Sequence, residues 1–348
     1  MPRNQEVSWT LGCNNKNFHS KLEAIKEHNL SKQAITFDIP DEYYNYDCVE
    51  EPKESLQELC VKEAKHIREK YDKVNLFYSG GCDSHYILQT FLDSNIKLDK
   101  MIIVKSGFDK ADFEIDQFAL PFAKKTNIPI EVRCPDMNYY KKIYENKFVS
   151  RTQHDQWFHF RLNNDFENVK DTPDNEVNLF GKDKPKLINV QNNWYTYFLD
   201  VDVTPQPKQY NFYLENPTIH FKQCHMLMRN IIQHKSHEQY NTITFFDEHQ
   251  DFWNKSIGRY EVCNFPMKLL QHEGYYNNKD QLAVAQAPLE IVKLWRERNK
   301  ALVEQYGDAW FNRGDPSLGT VGVFSKFMCL TKKDTKNVDQ LFPNGFLS

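Results

Sequence analysis

Charge of one sign is missing from this chain. Lysine and arginine number 44 against 48 aspartates and glutamates, a formal net charge of −4 over 348 residues. No single-signed field spans the molecule, so a general nucleic-acid binder is disfavoured, although a local basic patch stays open. Long apolar runs are missing too. "MPRNQEVSWTLGCNNKNF" holds no apolar export core, and no later window approaches a membrane span. Paired cysteines are absent: the eight are scattered and none forms C-x-x-C. That excludes a zinc ribbon and an iron–sulfur ligand run, and reduced thiols in a cytoplasmic protein become the expectation. Internal repeats and low-complexity tracts are absent as well. Glycine is scarce, 12 in all, so the adjacent pair in "NLFYSGGCDSHYILQTFL", residues 75–92, stands out.

Aromatics make up 14% of the chain, which is no composition for a disordered polymer. The length allows one large domain, or one domain with an extension. Residues 1–54 are mixed and end in the acidic, aromatic "DIPDEYYNYDCVEEPKE"; they read as an extension packed on the main domain. From Ser55 the pattern is regular. Ser55 and Glu58 have capping-box spacing, and Leu56, Leu59, Cys60, Ala64, Ile67 and Tyr71 recur at helical intervals. "VNLFYS", "KMIIVKSG" and "IPIEVRCPD" suit buried strands. "SHYILQTFLDSN" suits a helix, as does "DFEIDQFALPFAKKTN", with Pro121 kinking or bounding it. A helical stretch from Tyr139 to about Phe166 leads to a fourth candidate strand in "EVNLFGKDKPKLINV". Alternating strands and helices predict an α/β fold, a parallel sheet covered on both faces. After about residue 205, "QCHMLMRNIIQH" and "APLEIVKLWRERNKALVEQYG" predict a mainly helical part. Pro288 and Gly307 bracket the second of these helices.

"SGGCDS" lies where the first strand ends and a helix begins. Ligands bind at such strand ends in open α/β sheets. Glycines there let backbone N–H groups meet a ligand, and the helix start favours an anion. Ser79 and Ser84 can donate to phosphate oxygens. Asp83 repels a bare phosphate; it makes sense if a divalent cation lies between, or if Asp83 orients the loop. G-x-x-x-x-G-K-[ST] and G-x-G-x-x-G are both absent.

The loop resembles S-G-G-x-D-S, the pyrophosphate-binding loop (PP-loop) of the N-type ATP pyrophosphatases. That superfamily includes the synthetase domain of asparagine synthetases, GMP and NAD synthetases, tRNA-lysidine synthetases, thiouridylases and sulfate-assimilation relatives. The resemblance covers roughly residues 70–190. It implies a three-layer, flavodoxin-type sandwich of the adenine nucleotide alpha hydrolase kind. It also implies cleavage of ATP between the α and β phosphates, with Mg²⁺, transfer of AMP to an acceptor oxygen, and attack by a nitrogen or sulfur nucleophile. On that reading Tyr78, Ser79, Gly80, Gly81, Cys82, Asp83 and Ser84 hold the nucleotide, and Asp83 also binds metal. Cys82 occupies the family's variable position and is assigned no catalytic role.

Other segments extend the candidate site. Lys105 and Ser106 are candidates for the nucleotide edge, with a solvated turn as the alternative. Asp112 reads as the cap of the next helix, and Asp116 resembles an acidic residue that relatives carry there. Gly181 and Asp183 sit where asparagine synthetases carry G-x-G-x-D-E, though the second glycine and the glutamate are missing. Lys182 or Asp183 is a candidate for phosphate, metal or substrate contact, against a charged β-turn with Pro185. Lys326, in "GDPSLGTVGVFSKFMCL", resembles the late lysine some relatives return to the phosphate; a hairpin with a snorkelling lysine competes. His234, His237 and His249 with Asp247 and Glu248, or His154 with His159, read as solvated polar faces, not metal sites. Cys224 and His225 read as core.

The expectation is an ATP-dependent, AMP-forming ligase of the asparagine-synthetase-like branch, forming a C–N bond. Residues 55–205 form its ATP-binding domain and residues 206–348 a region for acceptor specificity. The glutaminase domain of asparagine synthetases is not expected: Pro2 follows Met1, and the segment before the first helix is too short. The acceptor is a small molecule. tRNA modification, sulfur assimilation and a nucleotide-binding module without turnover stay open.

Overall fold

Ser55 and Glu58 close a reciprocal cap. The Glu58 N–H donates to Ser55 Oγ, and the Ser55 N–H donates to the Glu58 carboxylate. The helix so started, Leu56–Lys70, buries Leu56, Leu59, Cys60, Ala64 and Ile67 on one face, as the spacing predicts. This computed structural model describes residues 9–18, 20–105, 112, 115–134, 138, 172–181, 185–200, 209–233, 289–310 and 322–342. The stretch from Tyr139 to Phe166 lies outside them.

In chain order the first elements are β1 (Thr10–Cys13), β2 (Lys16–Phe18), α1 (Lys21–Ser31), β3 (Thr36–Asp38), α2 (Asp41–Asn45) and α3 (Leu56–Lys70). The strands β1 to β3 form a small antiparallel sheet. Asn14 and Asn15 turn its first hairpin with φ of 52° and 58°, the left-handed pair that a two-residue loop needs.

Next come β4 (Lys73–Phe77), α4 (Cys82–Asp93), β5 (Lys100–Val104), a π turn (Ile115–Ala119), α5 (Leu120–Ala123) and β6 (Ile130–Arg133). Then follow β7 (Glu176–Phe180), β8 (Lys186–Val190), β9 (Asn193–Tyr197), β10 (Gln209–Asn211), α6 (Pro217–Gln233) and α7 (Leu289–Tyr306). The chain ends with β11 (Phe327–Cys329), β12 (Thr335–Lys336) and α8 (Val338–Leu341).

Five parallel strands run β10-β7-β4-β5-β6. Numbered by chain position the order is 3-2-1-4-5 read from β6. That is the core order of dinucleotide-binding sheets and differs from the 2-1-3-4-5 of flavodoxin-type sheets. In either order the switch point lies beside the first strand; here it is between β4 and β7.

Three expectations need correction. "EVNLFGKDKPKLINV" is two strands, not one: β7 joins the parallel sheet, and β8 joins an antiparallel sheet of order β12-β11-β9-β8. Both halves are apolar, and periodicity does not say which sheet a strand enters. Among the described residues the C-terminal part is not a mainly helical unit either. β10 is an edge strand of the parallel sheet, and β11 and β12 complete the antiparallel one. Strands of three and two residues are too short to show alternation. The helix around Pro121 opens as a π turn, whose wider backbone accommodates a ring that would meet the carbonyl four residues back in α geometry.

The core is continuous across these parts. Trp9, Leu11, Phe37 and Tyr43 pack in one buried cluster with Val74, Leu76, Ile87 and Leu88, so the N-terminal residues rest on the main sheet. Phe77, Ile102 and Phe180 form a separate cluster, as alternation along β4 and β7 requires. Among the described residues no helix is long and apolar enough to cross a membrane.

Two buried polar groups carry predictions. Lys21 and Asp200 pair at 2.8 Å with both side chains fully buried, and Asp200 Oδ1 accepts the Val323 N–H at 2.5 Å. Lys21→Met leaves a buried carboxylate without its cation. It is expected to lower unfolding free energy by about 3–5 kcal/mol in denaturant titrations, and Lys21→Met/Asp200→Asn to recover part of that; an unchanged midpoint would show the pair to be neutral.

His220 lies between Tyr43 and Phe198, with Nε2 at 3.3 Å from Thr196 Oγ1. Burial pushes its imidazole pKa down to about 3. The unfolded chain takes up that proton below about pH 6.5. Stability is therefore complete above that pH and declines as pH falls toward 3, by up to about 1.4 kcal/mol per unit. Comparing unfolding at pH 7 and pH 5, the wild type should lose more than His220→Gln; equal losses would remove His220 from the account.

Candidate functional site

β4 delivers the chain to the glycine pair. Tyr78, just after the strand, donates its N–H to Ile102 O at 2.9 Å, prolonging the pairing with β5. The loop then occupies residues 79–81, and α4 begins at Cys82 with Gly81 as N-cap.

The two glycines serve different needs. Gly80 has φ of +77°, left-handed space that strains other residues. A Cβ there would also lie 2.8 Å from the Ala119 Cβ of the π turn. The fold therefore requires Gly80. Gly81 has φ of −71° and ψ of 158°, which any residue adopts. Among the described residues, a Cβ on it would make one tight contact, with the Ser79 hydroxyl at 3.3 Å. The backbone does not demand glycine there, and the N-cap offers the helix no side-chain hydrogen bond.

The loop serines bond within the loop. Ser84, buried, donates from Oγ to Gly81 O at 3.2 Å and accepts the Ser79 N–H at 3.3 Å. Ser79 Oγ accepts the Gly81 N–H at 3.3 Å. Behind the loop, Tyr78 OH and His85 Nδ1 are 3.0 Å apart, and the His85 ring meets Phe122 edge-on at 4.7 Å. Burial lowers the His85 pKa, so the ring is neutral at pH 7. A buried hydrogen bond thus joins the residues on either side of "SGGCDS".

Gly181, directly after β7, closes the other flank. A Cβ on it would lie 2.8 Å from the Asp83 carbonyl carbon and 2.9 Å from Ser84 N. The strand-end glycine and the loop, about 100 residues apart, are thus brought together at the switch point between β4 and β7. Asp83 lies in the first turn of α4, and its carbonyl accepts Tyr213 OH at 2.8 Å. Half-buried Cys82 opens that helix.

Lys105 follows β5, and its Nζ is 2.9 Å from both oxygens of Asp116 in the π turn. That bond raises the lysine pKa. The Asp112 carbonyl accepts the Asp116 N–H, at the entry to the turn. Lys326 is held elsewhere: its Nζ lies 5.3 Å from the Tyr44 ring centre. Ser106, Lys182 and Asp183 lie outside the described residues, as do His154, His159, His234, His237, Asp247, Glu248 and His249. Among the described residues no cluster of three metal-ligating side chains occurs. Cys224 and His225 are buried, as expected of core residues. A cavity of about 330 Å³ lined by Tyr44, Tyr46, Cys48 and Lys333, among others, shares no residue with the loop.

Sequence reasoning misses Ala119, His85 and Tyr213, because no spacing rule links them to the glycines. A helix start of this kind favours an anion, while the aspartate in its first turn opposes one unless a cation lies between. No protein-family model matches this sequence, and no curated protein matches it.

Gly80→Ala should cost about 1–3 kcal/mol in chemical unfolding, from the left-handed backbone and the overlap with Ala119. Gly81→Ala should cost less, about 0.5–1 kcal/mol, the difference between glycine and alanine as a helix cap. Equal costs would erase the distinction between a glycine that the backbone requires and one that it does not.

Proposed function

We propose that the chain is an ATP-dependent, AMP-forming ligase of the PP-loop kind, with Mg²⁺ as cofactor and a small-molecule acceptor. The observation that carries this reading is Gly81. It occupies the N-cap, where serine, aspartate or asparagine would cap the helix somewhat better, in a backbone conformation that does not require glycine. A ligand that reaches the helix N–H groups supplies a reason to leave the position without a side chain.

The residues fit pyrophosphate and a divalent cation. The backbone around Gly80 and Gly81 and the start of α4 would receive the β and γ phosphates. Asp83, with Asp183, would hold the cation. Magnesium, when bound, would supply positive charge against the negative charge that builds on the leaving pyrophosphate. An acceptor carboxylate oxygen attacks the α phosphorus of ATP, and the bond to the bridging oxygen breaks with its electron pair on pyrophosphate. An amine or ammonia then attacks the adenylated carbonyl, loses a proton and releases AMP. The loop would act in the first step: N–H donors at the start of α4, held in place before the phosphates depart, would need little reorganisation as charge builds, and each such donor contributes on the order of 3 kcal/mol. The Lys105–Asp116 pair, at the end of the adjacent strand, gives a polar rim for the nucleoside.

Wild-type protein should exchange labelled pyrophosphate into ATP when supplied with the correct member of a pool of amino acids, other carboxylates and RNA. Asp83→Ala should reduce exchange on the order of 100-fold or more with an unchanged melting curve. Normal turnover by that variant would reject the assignment, and ATP binding without exchange under any acceptor would leave a nucleotide-binding module.

A further inference from the structure

We propose that Tyr213 is a positioning residue for the loop, setting the place of the first turn of α4 from the neighbouring strand; this rests on the loop's role as the pyrophosphate cradle. Tyr213 is 1% exposed and belongs to the turn between β10 and α6. Its hydroxyl donates to Asp83 O at 2.8 Å across 130 residues of chain. In helix geometry that carbonyl already serves the N–H four residues on, so the phenol uses its second lone pair. The bond is not needed to complete the helix; it ties the helix start to β10.

The tie has a firm anchor. Tyr210, on β10, donates its hydroxyl to Glu63 of α3, and Asn216 Nδ2 donates to the other Glu63 oxygen at 2.8 Å. Tyr43 OH donates to Leu214 O at 2.6 Å. The Tyr213 ring meets Phe212 edge-on at 5.3 Å. Segment 210–216 is thus bonded to two other elements before Tyr213 reaches the loop. With Gly181 in contact on the side of β7, the first turn of α4 is located by both strands beyond the switch point. The N–H groups that would meet pyrophosphate belong to that turn.

Thr196→Val is the control, since it removes a buried hydroxyl's bond to His220, 3.3 Å away, and touches neither the loop nor segment 210–216. Binding of magnesium pyrophosphate is measured by calorimetry for wild type, Tyr213→Phe and Thr196→Val, with melting curves for all three. Both variants should melt somewhat below wild type. Only Tyr213→Phe should bind more weakly, about fivefold, the worth of one hydrogen bond. Equal affinity in Tyr213→Phe and wild type, or equal weakening in both variants, would overturn the proposal alone and reduce the contact to stability. No binding by wild type would overturn the pyrophosphate reading and the proposal with it.

Discussion

β7 leaves the sheet and α4 enters its first turn within the space of one missing methyl group. Gly181 has no room for a Cβ against Asp83 and Ser84. That contact follows from strand order. β7 pairs with β4 in parallel register from Lys73 opposite Glu176 to Leu76 opposite Leu179, so the two chains exit side by side. One turns into α4 and the other goes on toward the antiparallel sheet. Ligand crevices of open α/β sheets lie where neighbouring connections diverge, and Gly181 lets the helix start sit close against the strand end at that point. A larger residue there would push α4 away from the strand ends, and the helix dipole with it.

The loop above that contact is assembled almost wholly from its own backbone and two serine hydroxyls. Ser84 Oγ accepts the Ser79 N–H, Ser79 Oγ accepts the Gly81 N–H, and the two hydroxyls share a hydrogen bond. Gly80 makes the turn, and Ala119 of the π turn fills the space its side chain would take. The widened turn at Ile115–Ala119 and the proline after it therefore have a consequence at the site: they bring a small residue against the loop. The same turn carries Asp116 to Lys105. One backbone irregularity supports the loop from below and orders the polar rim beside it.

How much of this was legible in sequence follows from the range of each signal. The capping box, α4 and the strands β4, β5 and β6 are local, and their apolar periods survive in the structure. The two strands within 176–190 are local as well, but their sheets are not, because both halves are apolar and only tertiary pairing separates them. β10, β11 and β12 are too short to alternate. The glycine pair was visible as a turn between strand and helix. That one glycine answers to a left-handed backbone and the other does not was not, since both read as one letter. Tyr213 and Gly181 reach the loop across 130 and about 100 residues, and no window holds both ends.

Preorganisation accounts for the expensive features. Each buried polar tie near the loop costs desolvation that an apolar pair would avoid. Glu63 with Tyr210 and Asn216, and Tyr78 with His85, are ties of this sort, and each joins elements that meet at the loop or carry its supports. Apolar packing alone resists separation but tolerates small sliding, because dispersion is weakly directional. Hydrogen bonds of set length and angle do not tolerate it. A cradle whose donors must meet a growing charge without moving needs its helix start placed to a fraction of an ångström. The Tyr213 bond to the Asp83 carbonyl and the Gly181 contact fix the first turn of α4 in that way, which is what the proposed chemistry would ask of it.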